Sequence, residues 1–302
     1  MAKSYKTPGV YVDEISVFPP SVVPVETAIP AFFGFTKKTT DANGESLVNK
    51  PTRITSLLEY QNLFGTTVAE TFEVNVIQNG TNINVTFQTQ PLTPKKYLYY
   101  SMLLFYSNGG GPCYIVSLGD LDTPPGPDLF TDAFDILQAF DEPTLLVFPD
   151  ACFLGDSEHG DVVAQALKHC SKMQDRFTIA DVRNAMTGGT ETNQNVTEKF
   201  RDKVSADPDE LKYGAAYFPY VKTLLPFYYD DNSVQVANHT GAPAAETIAP
   251  NAKLTTIKGT NTAVYNAIKQ KINATTMTLP PSGGVAGAYA RVDNNRGVWK
   301  AP

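Results

Sequence analysis

From Thr27 onward, short apolar runs of strand length alternate with amphipathic stretches of helix length, and this alternation constrains the fold more than any other feature. Residues 28–35, with Ile29, Phe32, Phe33 and Phe35, form a run too apolar for a strand with one wet face. Ser56 is placed to cap a short helix through Phe64, which Gly65 closes. A helix over 96–107 runs into Gly109-Gly110-Gly111. Strands follow at 114–118, 144–148 and 177–182, separated by helices over 129–140 and 157–173. A helix over 196–204 leads to a strand at 214–220. Strands separated by helices predict an α/β fold built on a doubly wound, mostly parallel sheet.

Other segments depart from that rhythm. Runs at 72–76 and 83–87 alternate apolar and polar residues around Asn79-Gly80, a strong hairpin signal. With a polar face on each strand, the hairpin is expected to project from the body as a β-hairpin insertion spanning 66–95. Residues 227–250 read as an irregular, polar surface loop, and 262–272 as a helix. Before Thr27, Val10 and Val12 alternate like a strand with their neighbours, and Pro19, Pro20 and Pro24 forbid helix. Residues 1–27 therefore read as an extended N-terminal arm. An extended arm needs another sheet to accept its backbone hydrogen bonds.

A chain of 302 residues with 42% hydrophobic residues can bury a sizeable core. Its net charge of −7 lacks the basic footprint of a nucleic-acid-binding protein. No apolar run is long enough to span a bilayer, and no h-region follows Met1, so the chain reads as soluble and made in the cytoplasm. Cys113, Cys152 and Cys170 are scattered and sit in apolar or helical contexts, which predicts buried free thiols.

Candidate chemistry is thin. Gly109-Gly110-Gly111-Pro112 follows a helix and precedes a strand, the reverse of a phosphate loop, where a helix N-terminus faces the anion. Asp150, His159, His169 and Ser282 occur in the chain order of one serine-protease triad, yet no nucleophile signature surrounds Ser282. Asp150 is expected to cap the turn into the following helix. His169 and Cys170 diverge by about 100° on a helix, so they do not share one metal. Asp156, Glu158, His159 and Asp161 suit the positive end of a helix better than an ion. The reading is of a chain with no catalytic residue, cofactor or metal. The aromatic cluster Tyr217, Phe218, Tyr220, Phe227, Tyr228 and Tyr229 lacks the interleaved cations of a base-stacking surface. Core or subunit interface is the expected role.

Four blocks, taken in order, resemble the contractile tail sheath proteins of phages and phage-tail-like injection machines. The first is the arm Lys6, Thr7, Pro8, Gly9, Val10, Tyr11, Val12, Asp13, Glu14 and Ile15. The second is Asn108-Gly109-Gly110-Gly111-Pro112-Cys113-Tyr114-Ile115-Val116. The third is Lys212-Tyr213-Gly214-Ala215-Ala216-Tyr217-Phe218-Pro219-Tyr220-Val221-Lys222-Thr223. The last holds Pro280, Pro281, Gly283, Gly284, Gly287, Arg291 and the sole tryptophan, Trp299. The resemblance implies an α/β body over 28–260, subtilisin-like in architecture without a triad. It implies that 261–302 begins a C-terminal domain of which most is missing. The block from Pro280 would then be the junction into that domain, poorly ordered or docked on a partner, with Trp299 seeking a pocket elsewhere.

The function implied is structural. Such subunits form hexameric rings stacked in a helical, metastable array around an inner tube, which contracts to drive the tube through a target envelope. The implied partners are other copies of the chain, the inner tube protein, and baseplate and terminator proteins, without nucleic acid or membrane insertion. The implied location is a virion or phage-tail-like particle assembled in the bacterial cytoplasm and open to release. The arm would pair with a neighbour's C-terminal domain by strand exchange. The rival readings are a baseplate or tail-terminator component sharing these blocks, and a small α/β hydrolase.

Overall fold

The computed structural model describes residues 27–88, 93–184 and 193–299; the arm at Lys6–Ile15 lies outside them. In chain order the elements are β1 (Pro30–Thr36), β2 (Thr52–Ile54), α1 (Leu57–Phe64), β3 (Phe72–Asn79), β4 (Asn82–Phe87), α2 (Leu98–Ser107) and β5 (Cys113–Asp120). Next come α3 (Pro127–Leu137), β6 (Leu145–Val147), α4 (Asp156–Met173), β7 (Phe177–Asp181), α5 (Asn193–Lys203), β8 (Gly214–Tyr217) and β9 (Val221–Thr223). The last are β10 (Val234–Thr240), β11 (Ala252–Lys253), α6 (Leu254–Thr260), α7 (Thr262–Asn273), β12 (Met277–Leu279) and α8 (Ser282–Arg296).

Six strands form the main sheet in the order β2-β5-β1-β6-β7-β8. All its pairings are parallel except that of β2 with β5. Neighbouring residues on a strand point to opposite faces, so each central strand packs on both faces of the sheet. Phe32, Ile115, Val147 and Ile179 are in register and pack with Tyr60 and Phe64 of α1, Phe105 of α2, and Ala286 and Ala290 of α8. Phe33, Val116, Phe148 and Ala180 pack on the other face with Phe130 and Phe134 of α3 and Val162 and Ala166 of α4. The sheet is thus doubly wound, as the alternation predicted. Local signals agree: Ser56 Oγ accepts from the Glu59 amide at 3.2 Å, and Gly65 leaves α1 at φ 78°.

A second core lies beyond the main sheet. β11-β10-β3-β4 form a four-stranded sheet, with β10 parallel to β3 and the other pairs antiparallel. Phe72, Val74, Val76, Val85, Val234 and Val236 from this sheet pack with Ile257 of α6 and Val264, Ile268 and Ile272 of α7. The second core also takes in Cys152 and Val182, which follow β6 and β7, and Tyr97 at the start of α2. β9 and β12 pair antiparallel as a separate ribbon.

Three expectations change. The hairpin turns at Asn79-Gly80, with Gly80 at φ 63°, but it does not project freely. One face of β3 and β4 is buried, so the hairpin builds half of the second sheet. The loop read over 227–250 holds β10, which pairs with β3 across a long sequence interval. The glycine-rich block at Pro280, read as loosely held, is the fifteen-residue helix α8, packed into the α/β body. Among the described residues no helix is long and apolar enough to cross a membrane.

Candidate functional site

In an open α/β sheet the ligand site lies outside the carboxyl ends of the strands, where the strand order reverses. Here the chain passes from β1 to β5 on one side and then to β6 on the other, so the reversal flanks β1. Asp150 follows β6 at this edge and is fully buried. Its Oδ2 accepts from the Phe35 amide at 2.9 Å, and its Oδ1 from the Tyr97 and Leu98 amides at 2.7 and 3.2 Å. Tyr97 and Leu98 open α2, whose first amides have no partner within the helix. The carboxylate thus takes the place that a ligand phosphate or carboxylate occupies in many α/β enzymes. Gly34 makes room for it, since a Cβ there would lie 2.5 Å from Asp150 Oδ2. Burial raises the Asp150 pKa, against the lowering effect of the three amides and of Lys96. Asp150 therefore caps α2, which precedes it by some fifty residues, and not the helix that follows it.

One strand further on, Asp181 ends β7 with 3% exposure. Its Oδ1 accepts from the Ser282 amide at 2.8 Å and its Oδ2 from the Ser282 hydroxyl at 2.5 Å. Ser282 opens α8, so a second buried carboxylate seats a second helix N-terminus. Burial raises Asp181 to about 7, although both Ser282 bonds favour the charged form. The two helices seated in this way, α2 and α8, then pack on one another. A Cβ on Gly283 would lie 2.6 Å from the Ser101 carbonyl oxygen, and one on Gly287 would lie 2.5 Å from that of Phe105.

The residues in triad order are not brought together. Ser282 is held by Asp181. His159 is buried near Phe200 and Arg183, and burial lowers it to about 4. His169 meets Arg176 at 3.2 Å and is also lowered to about 4 by burial and by that guanidinium. Asp156 pairs with Arg183, and Glu158 Oε2 accepts from the Gly155 amide at 3.0 Å, the role of an acid at a helix start. Cys170 Sγ lies 3.3 Å from Thr178 Oγ1. No group of three His, Cys, Asp or Glu side chains that could hold a metal occurs among the described residues. The three cysteines are free and buried, and burial raises Cys113 to about 12 and Cys170 to about 11.

The remaining sequence blocks fall in two places. Gly109, at φ 95°, ends α2, and the Gly110 amide donates to the Phe105 carbonyl at 2.9 Å. The side chain of Arg291, on α8, fills the space beside Gly109. Pro280 and Pro281 are buried ahead of α8, Gly284 is half-buried and Arg291 exposed. Trp299 is 81% exposed, with Val298 beside it at 63%. The aromatic cluster divides: Tyr220 and Phe227 are buried, Tyr217 and Tyr229 half-buried, and Phe218 and Tyr228 exposed. Phe72 meets Phe227 and Tyr229 edge-on, and Tyr217 and Tyr289 share a 2.8 Å hydrogen bond. Sequence reading missed Asp181 altogether. Its available signal was its place at the end of an apolar strand, the same position as Asp150.

The chain is similar to three solved chains of the anti-feeding prophage (AFP). One comes from the AFP helical sheath in contracted state, at 21% identity and TM-score 0.49, covering 99% of this chain and 56% of that one. A second comes from the AFP baseplate, 6-fold symmetrised, at 22% identity and TM-score 0.47, covering 99% and 56%. The third comes from the AFP baseplate in contracted state, at 20% identity and TM-score 0.50, covering 99% and 58%. At this identity the third likeness is one of fold, and it extends over almost all of the present chain. The chain spans little more than half the length of the chains it matches. No protein-family model and no curated protein matches it.

Proposed function

We propose that this chain forms the α/β body of a contractile tail sheath subunit. The subunit polymerises as helically stacked hexameric rings around an inner tube and contracts to drive the tube through a target envelope. The observation that carries the reading is the fold shared, over 99% of this chain, with a chain of the contracted AFP baseplate. The four ordered sequence blocks support it independently. The closed carboxyl edge supports a structural role, because Asp150 and Asp181 fill with the chain's own carboxylates the positions where α/β enzymes seat anionic ligands.

In this reading Lys6–Ile15 is the arm that adds a strand to a neighbour, and the segment around Trp299 leads toward the tube-facing part of the subunit. The partners are further copies, the inner tube protein, and baseplate and terminator proteins, within a virion or phage-tail-like particle. A baseplate component is the second reading, favoured by the TM-score of 0.50 to a baseplate chain. Negative-stain microscopy of the full-length protein produced with its tube partner separates the two. A sheath yields long striated cylinders around the tube. A baseplate component yields discrete disc-like particles, and an enzyme neither.

A further inference from the structure

The charges of this chain are segregated along the sequence. From Tyr97 to Leu167 there is no Lys or Arg, while Asp and Glu recur from Asp120 onward. From Thr247 to Val292 there is no Asp or Glu, while Lys253, Lys258, Lys269, Lys271 and Arg291 punctuate the stretch. The fold carries the two stretches to different surfaces. The acidic stretch supplies α3 and the first half of α4, which cover one face of the main sheet. The basic stretch supplies α6 and α7, which cover the second core beyond the carboxyl edge of that sheet.

Each surface has features suited to contact. On α3, Asp128, Asp132 and Asp135 are exposed at spacings of four and three, so they form one stripe beside Ile136, which is 37% exposed. Like charges at these spacings destabilise an isolated helix. Lys168 and Lys172 of α4 flank only the Asp135 end, where Lys172 donates to Gln138 Oε1 at 2.7 Å. The Asp128–Asp132 half is left facing solvent. On the other surface, the Lys258 and Lys269 ammonium groups lie 5.9 and 5.3 Å from the Tyr265 ring centre, where Asp231, which accepts from the Tyr265 hydroxyl at 2.9 Å, offsets part of their charge; that of Lys271 lies elsewhere on α7, 5.9 Å from the Phe87 ring centre. Ring contacts restrain lysine stems in the free subunit, which reduces the entropy lost when the charges are bound.

We infer that the α3/α4 face of one copy docks on the α6/α7 face of a second copy of this chain, an inference that rests on the sheath reading. The occupant is a second copy because one chain carries both complementary surfaces. The two surfaces differ, so the contact is heterologous, and repeating it builds an open array instead of a closed pair. Charge pairing of this kind sets partner orientation and association rate, and weakens as salt shortens the screening length.

Two charge-reversal variants of the full-length protein test the inference, with assembly followed by sedimentation and microscopy. Asp128→Lys/Asp132→Lys makes the α3 face basic, and Lys258→Glu/Lys269→Glu, at the two lysines that share the Tyr265 ring, makes the α6/α7 face acidic. Each variant alone should raise the protein concentration needed for assembly by about tenfold or more, while circular dichroism confirms an unchanged fold. Mixing the two defective variants should restore assembly, because the basic α3 face of one variant meets the acidic α6/α7 face of the other, and their unaltered faces pair in the alternate contact. Wild-type assembly should weaken between about 0.05 and 0.5 M salt. Variants that assemble like the wild type, or a mixture that stays as defective as its parts, would overturn the docking while leaving the sheath reading intact. A wild-type protein that forms no array under any of these conditions would overturn both.

Discussion

Asp150 is a fully buried carboxylate surrounded by three backbone donors, from Phe35, Tyr97 and Leu98. Removing it leaves those amides buried and unpaired, each at about 1–3 kcal/mol. Asp150→Ala should therefore lower unfolding stability in urea by about 3 kcal/mol or more; a loss under about 0.5 kcal/mol, typical of a surface change, would mean the amides find other partners. Asp181 makes a different prediction, because burial raises it to about 7 from an ordinary 3.8. The folded state then holds a proton that the unfolded chain has released. Its contribution to stability is full below the ordinary value and is lost as pH rises through about 7. His159 and His169, lowered to about 4, act in the opposite sense: their contribution is present above 6.5 and lost as pH falls through about 4. Asp181→Asn keeps an acceptor for the Ser282 amide and cannot ionise. Its melting temperature should fall less than the wild type's between about pH 4 and 7, and equal slopes would remove Asp181 from the account. Asp150 was legible as a strand-end acid, but its partners were not. They come from β1 and from α2, and only the closed sheet brings them within hydrogen-bonding distance.

At the scale of elements, α8 turns on two glycines with opposite consequences. At Gly287 an added Cβ would lie 2.5 Å from the Phe105 carbonyl oxygen, whereas at Gly284 it would meet only Asn108 Nδ2 at 3.6 Å. Replacing a helical glycine by alanine gains up to about 1 kcal/mol of propensity. Gly284→Ala should therefore hold or raise the melting temperature. Gly287→Ala should lower it, because α2 and α8 must separate. The reverse order in a thermal melt would mean that the two helices do not pack at this distance. The α/β alternation was readable because buried parallel strands write continuous apolar runs such as Ile115–Val116 and Leu146–Val147, and their helices write a distinct period. β10 was not readable, because Val234, Val236 and His239 sit among polar residues and their parallel partner, β3, is far away in sequence. α8 was hidden by its composition. Its signal was the small-residue face Gly283, Ala286, Gly287 and Ala290, spaced for one side of a helix, which only the close approach of α2 explains. The hairpin was recognised from Asn79-Gly80, while the buried face of its strands was visible only once β10 and α7 supplied a cover.

The whole molecule joins a doubly wound sheet to a second core through residues at the sheet's carboxyl edge, Tyr97, Cys152 and Val182 among them. With that edge packed and its carboxylates committed to helix N-termini, the two cores are suited to move as one body. In the sheath reading, such a rigid body would be linked to its neighbours through extended segments and surface charge, so that interfaces can change while each core stays intact. The exposed Trp299 and Val298 stand at the end of α8, where the described structure stops, and in the sheath reading they are covered by other parts of the assembly. The most direct test is a helical cryo-EM reconstruction of the full-length protein assembled on its tube. The account predicts six copies per layer, each fitting the described residues with both cores unchanged, and α3/α4 of one copy facing α6/α7 of the next. Discrete particles without helical order, or density in which the two cores must be pulled apart to fit, would contradict it.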